Sequence, residues 1–133
     1  MAPAGSRAAV LFDLDNDGDL DLVTGDFNSS PQILVSNLAQ VRPIHWLKVQ
    51  LTGTASNRDG LGASVKVVTG HGTYTKQNDG KSGYLSQSSL PLYFGLGDDT
   101  AVNRVEVLWP SGRNQTITQG IKSNDTLRIQ EPR

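Results

Sequence analysis

Five aspartates fall within nine positions: Asp13, Asp15, Asp17, Asp19 and Asp21, interleaved with Asn16 and Gly18. They are five of only 13 acidic residues in the chain. Carboxylates this crowded repel at neutral pH unless a cation or a basic partner lies among them. The spacing favours a cation. Asp13, Asp15 and Asp17 alternate, so a curled loop points all three inward, and Gly18 permits the sharp turn that brings the chain back over an ion. The Asp19 carbonyl and the Asp21 carboxylate then supply further oxygens. Hard oxygen ligands at positions 1, 3, 5, 7 and 9 with glycine at 6 make up the first part of a calcium-loop pattern. Position 12 of that pattern holds Thr24 instead of glutamate, and no helix-like pattern follows. The competing reading is a solvated acidic turn. Within the calcium reading, a structural staple is the commoner role for such a loop than a functional site.

The elements that must hold this loop read as strands. Residues 8–12 form a short apolar strand into it, and 20–25 form the next, with Leu20, Leu22 and Thr24 on one face and apolar enough to be buried. A turn cluster at 26–31 precedes a third strand at 32–37. Three strands in so short a stretch make one blade-like meander, too little to bury a core of its own. No second Asp-rich loop occurs downstream. From Trp46 onward, short alternating segments recur at 46–51, 63–68, 73–77, 92–97, 105–109, 114–118 and 126–129. Such spacing argues for a largely antiparallel sandwich or closed barrel. No segment shows sustained helical periodicity. The expected class is therefore all-β, a three-stranded calcium-binding meander followed by a β-sandwich or barrel.

Charge divides the chain the same way. Residues 1–41 hold six acids and one base, Arg7, whereas 42–133 hold seven acids and eleven bases. This asymmetry places a boundary near Arg42-Pro43, giving domains at 1–41 and 42–133. The overall charge of −1 gives no indication of a nucleic-acid partner. Cysteine is absent, which excludes disulfides and thiolate metal sites. No run approaches the roughly 20 apolar residues of a membrane span, and the first residues lack the basic start and apolar core of a signal peptide.

Two resemblances follow from particular residues. The stretch Phe12-Asp13-Leu14-Asp15-Asn16-Asp17-Gly18-Asp19-Leu20-Asp21-Leu22-Val23 resembles an FG-GAP/VCBS repeat, the calcium-binding blade unit of integrin-type propellers, over about residues 8–38. That resemblance implies Asp13, Asp15, Asp17, the Asp19 carbonyl and Asp21 as Ca2+ ligands. Four further motifs occur in order: Asn57-Arg58-Asp59-Gly60-Leu61-Gly62-Ala63, Ser82-Gly83-Tyr84-Leu85-Ser86-Gln87, Phe94-Gly95-Leu96-Gly97, and Val105-Glu106-Val107-Leu108-Trp109-Pro110-Ser111-Gly112. Together they resemble the ASPIC/UnbV domain over about residues 45–131, which follows FG-GAP/VCBS repeats in the cartilage acidic protein family and in many bacterial secreted proteins. A histidine commonly precedes Phe-Gly-Leu-Gly in that family. Tyr93 stands there in this chain, so no histidine role carries over. The resemblance implies an architecture and no catalytic activity.

The remaining residues give no catalytic site. His45 and His71 fit no metal-ligand pattern and read as surface or turn histidines. Asp98-Asp99 reads as an exposed turn rather than an acid–base pair. Among the aromatics, Trp109 alternates with Val105 and Val107 and belongs in a core, while Trp46 is out of phase and covers an edge or stays exposed. Tyr84, with Ser82, Ser86 and Gln87 in a glycine-flanked loop, is the best candidate for a ligand-binding loop. The expectation is a non-catalytic calcium-binding module, the C-terminal part of a larger propeller protein. It would act in adhesion, surface recognition or scaffolding, outside the cell, in the periplasm or at the cell surface. Its partners would be calcium and a protein or glycan ligand, with no membrane insertion. Self-association is expected through the exposed edge of the blade. The alternatives are an accessory domain of a secreted enzyme and a glycan-binding lectin-like module.

Overall fold

Alternation of apolar and polar residues produces strands nearly everywhere the sequence placed them. The computed structural model describes residues 5–81, 83–84, 86–87 and 91–133. Ten strands and one short helix occur among them. The chain divides into two compact units, Met1–Ile44 with Gly80–Ser89, and His45–Asp79 with Leu90–Arg133. The described residues of 80–89, which the charge boundary leaves with the second domain, fall in the first unit.

In the first unit β1 (Ser6–Phe12), β2 (Asp21–Asp26) and β3 (Gln32–Leu34) form an antiparallel sheet in the order β1-β2-β3. Val10 faces Val23 across the first pair, and Leu22 faces Leu34 across the second. A single helical turn, α1 (Leu38–Val41), follows; its four residues are too few to leave a periodicity in the sequence. No hydrophobic residue described in this unit is buried. The residues that are buried include Asp19, Asp21 and Thr24. Leu20 and Leu22, expected inside, are only half-buried. Leu11, Ile33, Leu34 and Val35 are each more than half exposed. The unit is therefore organised around carboxylates, as a sheet this small must be when it has no apolar centre.

The second unit is a two-layer sandwich. One sheet has the order β10-β4-β7, built from β4 (His45–Thr52), β7 (Leu92–Gly97) and β10 (Asp125–Gln130). The other has the order β6-β5-β8-β9, built from β5 (Ser64–Thr69), β6 (Thr73–Gln77), β8 (Val102–Leu108) and β9 (Asn114–Ile117). All pairs are antiparallel except β10 with β4, which run parallel from Asp125 opposite Leu47 to Gln130 opposite Thr52. Both sheets end in unpaired edges among the described residues, so the architecture is a sandwich and the barrel alternative does not form. Leu47, Val49 and Leu51 from β4 meet Val65 and Val67 from β5, Phe94 and Leu96 from β7, and Val105 and Val107 from β8. Trp109, just past β8, is fully buried with them. Each side chain of this kind contributes about 1.5–3 kcal/mol on burial. Trp46, on the opposite face of β4, is half-buried and stacks on Tyr93 with ring centroids 6.0 Å apart.

Candidate functional site

The Asp-rich loop joins β1 to β2. Two of its residues, Asn16 and Gly18, take left-handed backbone angles (φ 65° and 95°), which curl it as the sequence pattern requires. Carboxylate oxygens of Asp13, Asp15 and Asp21 lie within 4.8 Å of one another. Two oxygens bound to one calcium at about 2.4 Å stand at most about 4.8 Å apart, so this trio fits a single ion. Asp21 is the anchor: its Oδ2 accepts the Leu14 N–H at 2.7 Å and its Oδ1 the Ser36 N–H at 2.8 Å. One buried side chain thereby ties the start of the loop and the segment after β3 to β2.

The Asp17 and Asp19 carboxylates are not part of that trio. Asp17 Oδ1 accepts the Asp19 N–H at 3.0 Å. That bond pulls the Asp17 carboxyl down, but desolvation and the neighbouring charges of Asp15, Asp19 and Asp13 leave it raised overall. Asp19 accepts the Ala39 N–H through Oδ2 at 2.9 Å, while its Oδ1 is buried and has no hydrogen-bond partner. Three converging carboxylates are a donor set that suits a hard divalent cation.

Of the loop expected to bind a ligand, Ser82 lies outside the described residues. Tyr84 is exposed, and Gln87 forms an isolated bridge with Lys81. Ser86 is half-buried. Tyr84 also donates its backbone N–H to the Arg7 carbonyl at 2.9 Å, so this loop is fastened to β1.

The first and last ASPIC/UnbV-like motifs meet at one end of the sandwich. A Cβ on Gly60 would stand 2.9 Å from Leu51 Cβ and 3.3 Å from the Trp109 ring, and one on Gly62 would touch Pro110. The Asn57 side chain both accepts from and donates to the Leu61 backbone, each at 2.8 Å. Trp109 Nε1 donates to Gln115 Oε1 at 2.9 Å. At the centre lies Glu131, which sequence reasoning missed. Its Oε2 accepts three consecutive backbone N–H groups, Thr54, Ala55 and Ser56, at 2.8, 2.9 and 2.7 Å. Its Oε1 accepts the Ser56 and Ser111 hydroxyls at 2.9 and 2.5 Å. Burial alone would push this carboxyl up, but the Ser111, Ser56 and Thr54 bonds outweigh it and hold the group at about 2. These contacts make the motifs a packed joint that fixes the end of β10.

Asp99 departs from the exposed turn expected of it. It is 7% exposed and its Oδ1 lies 2.5 Å from His71 Nδ1. The Thr69 hydroxyl and then His71 lower its carboxyl, and Asp99 in turn raises His71. The Thr69 hydroxyl is also engaged with the Gly72 backbone. The pair ties the β5–β6 turn to the residues after β7.

The sequence matches the model of the family described as ASPIC and UnbV over residues 53–133. Among curated proteins it is similar to cartilage acidic protein 1 of Homo sapiens, 36% identical over 100% of this chain and 20% of that protein. The Mus musculus protein of the same name is 35% identical over 98% of the chain, and that of Xenopus tropicalis 35% over 96%. The chain spans about a fifth of the length of the curated relatives it matches. The human alignment covers the whole chain and so includes the 13–21 loop, which the family match does not reach.

Proposed function

The chain belongs to the ASPIC/UnbV family, and from that premise we propose that it is a non-catalytic extracellular module whose first unit is stapled by calcium. The carrying observation is the convergence of Asp13, Asp15 and Asp21 in a unit with no buried hydrophobic residue among those described. With carboxylates at its centre, that unit gains its missing stabilisation from a cation. Asp13, Asp15 and Asp21 hold the ion through side chains, with the Asp19 carbonyl and Asp17 closing the loop. Bound calcium neutralises the repulsion and fixes the turn between β1 and β2. Residues 8–38 are then one FG-GAP/VCBS-type blade of a longer propeller, and the sandwich is the domain that follows it. Weak extracellular sites bind at roughly 10⁻⁴–10⁻³ M, so such a staple is filled outside cells and empty in cytosol. No described helix is long and apolar enough to cross a membrane. Adhesion or surface recognition is the role we infer for such a module, and the exposed Tyr84 is its candidate contact.

A thermal melt with and without calcium tests this reading. At about 5 mM calcium a site of that affinity stabilises the loaded state by about 1–2 kcal/mol. Asp15 is exposed and holds only the Asp17 N–H at 3.3 Å, so Asp15→Asn keeps the unloaded fold and loses the calcium shift. No shift in the unmodified chain would refute the staple.

A further inference from the structure

Gly83 and Tyr84 belong in sequence to the run between β6 and β7, yet they fall in the first unit. There they meet β1, an edge strand in the order β1-β2-β3. Gly83 pairs antiparallel with Ala8, and Tyr84 donates its N–H to the Arg7 carbonyl at 2.9 Å. Gly83 has φ +102°, and a Cβ there would stand 2.9 Å from both Ala8 Cα and the Arg7 carbonyl oxygen. Both the backbone angle and the approach demand glycine. The Arg7 guanidinium lies 4.0 Å from the Phe27 ring centroid and 5.8 Å from that of Tyr84, so both rings pack on one cation. Lys81 and Gln87 form a further isolated antiparallel bridge.

What Gly83 and Tyr84 cover is a hazard. β1 reads Ser-Arg-Ala-Ala-Val-Leu-Phe, seven residues with one charge and no proline. An uncovered edge of that composition is a template for another strand. The opposite edge, β3, has only three residues. A second copy of β1 is the best-matched occupant, because two identical edges paired antiparallel close on a twofold axis and leave no further edge to propagate. We infer that Gly83 and Tyr84 act as a strap on the β1 edge at Arg7 and Ala8 and block antiparallel pairing with the β1 edge of a second copy of this chain. Self-association through the blade edge then requires release of the strap. This inference rests on β1 and the strap, and is independent of the calcium reading.

The test uses the full chain in about 5 mM calcium, above the range of weak extracellular sites, so that an empty loop does not decide the outcome. In the unmodified chain, amide exchange by NMR should show the Tyr84 N–H protected at least about tenfold over a free peptide. Exchange at the free-peptide rate would overturn the strap. Gly83→Val removes the seat, and light scattering should then report a doubled mass. Ala9 is exposed and central in β1, so Ala9→Lys sets like charges opposite each other in the paired form and should return Gly83→Val to a monomer. A folded Gly83→Val chain that stays monomeric, or a dimer indifferent to Ala9→Lys, would overturn the inference. If Gly83→Val does not fold, the exchange rate of Tyr84 in the unmodified chain still decides whether the strap exists.

Discussion

Replacing Gly60 with alanine tests whether the Asn57–Ala63 motif is there for packing. Gly60 has φ +65°, and its added Cβ would meet Leu51 Cβ at 2.9 Å and the Trp109 ring at 3.3 Å. Gly112 provides the control: its φ is +85°, but nothing lies within 4 Å of a Cβ built there. Both substitutions incur the left-handed backbone cost, about 1–2 kcal/mol. Only Gly60→Ala adds overpacking, because Leu51 and Trp109 belong to the closed core and have little room to retreat. That term is about 1–3 kcal/mol. Gly60→Ala should therefore lose about 2–5 kcal/mol and Gly112→Ala about 1–2 kcal/mol. Each kcal/mol shifts the melting temperature of a domain this size by about 4–8 °C, so Gly60→Ala should melt at least about 4 °C below the control. Urea denaturation followed by tryptophan fluorescence measures both, since Trp46 and Trp109 report on the same unit. Equal losses, within about 0.5 kcal/mol, would refute the packing account of the motif.

Other consequences follow from the buried carboxylates and from Trp109. Glu131 is held at about 2 in the folded chain, below its ordinary 4.5. Its stabilisation is thus full above about 4.5 and lost as pH falls through about 2. Glu131→Gln should be less stable at neutral pH and show a flatter acid profile over that window in pH-dependent melts; parallel profiles would count against the joint. His71 is raised above 6.5 by Asp99, so the pair's contribution is full below 6.5 and fades as pH climbs through the raised value. NMR titration of the imidazole should show that raised midpoint, and Asp99→Asn should return it toward 6.5. Trp109→Phe removes the bond to Gln115 and part of a buried ring, a loss of about 1–3 kcal/mol expected in the same urea assay, with an unchanged denaturant slope.

The strands were legible because a half-buried strand writes its two faces into alternating residues. β4 shows this with Leu47, Val49 and Leu51 inward and Trp46, Lys48 and Gln50 outward. The placement of Trp109 in the core followed from the same phase. Pairing order leaves no such mark, and the parallel β10–β4 ladder joins segments about 78 residues apart. Glu131 escaped notice, and Asp99 was read as exposed, for a related reason. A charged residue near a chain end or after Gly-Leu-Gly reads as solvated, and the partners that engage these two lie 20–77 and 28–30 residues away. Gly83 was visible only as part of a glycine-flanked loop, because the strand it approaches lies in a different part of the sequence. The Asp loop was the most legible feature because its spacing is local, and the structure draws Asp13, Asp15 and Asp21 together. Asp19 was cast as a carbonyl ligand only; the burial of its side chain against Ala39 depends on α1, which the sequence did not reveal.

The most direct test of the calcium staple is a crystal of the chain grown with calcium and measured at a long wavelength for anomalous scattering. The account predicts one anomalous peak in the 13–21 loop, about 2.3–2.6 Å from carboxylate oxygens of Asp13, Asp15 and Asp21. A map with no peak in that loop, or with calcium bound only elsewhere, would contradict it.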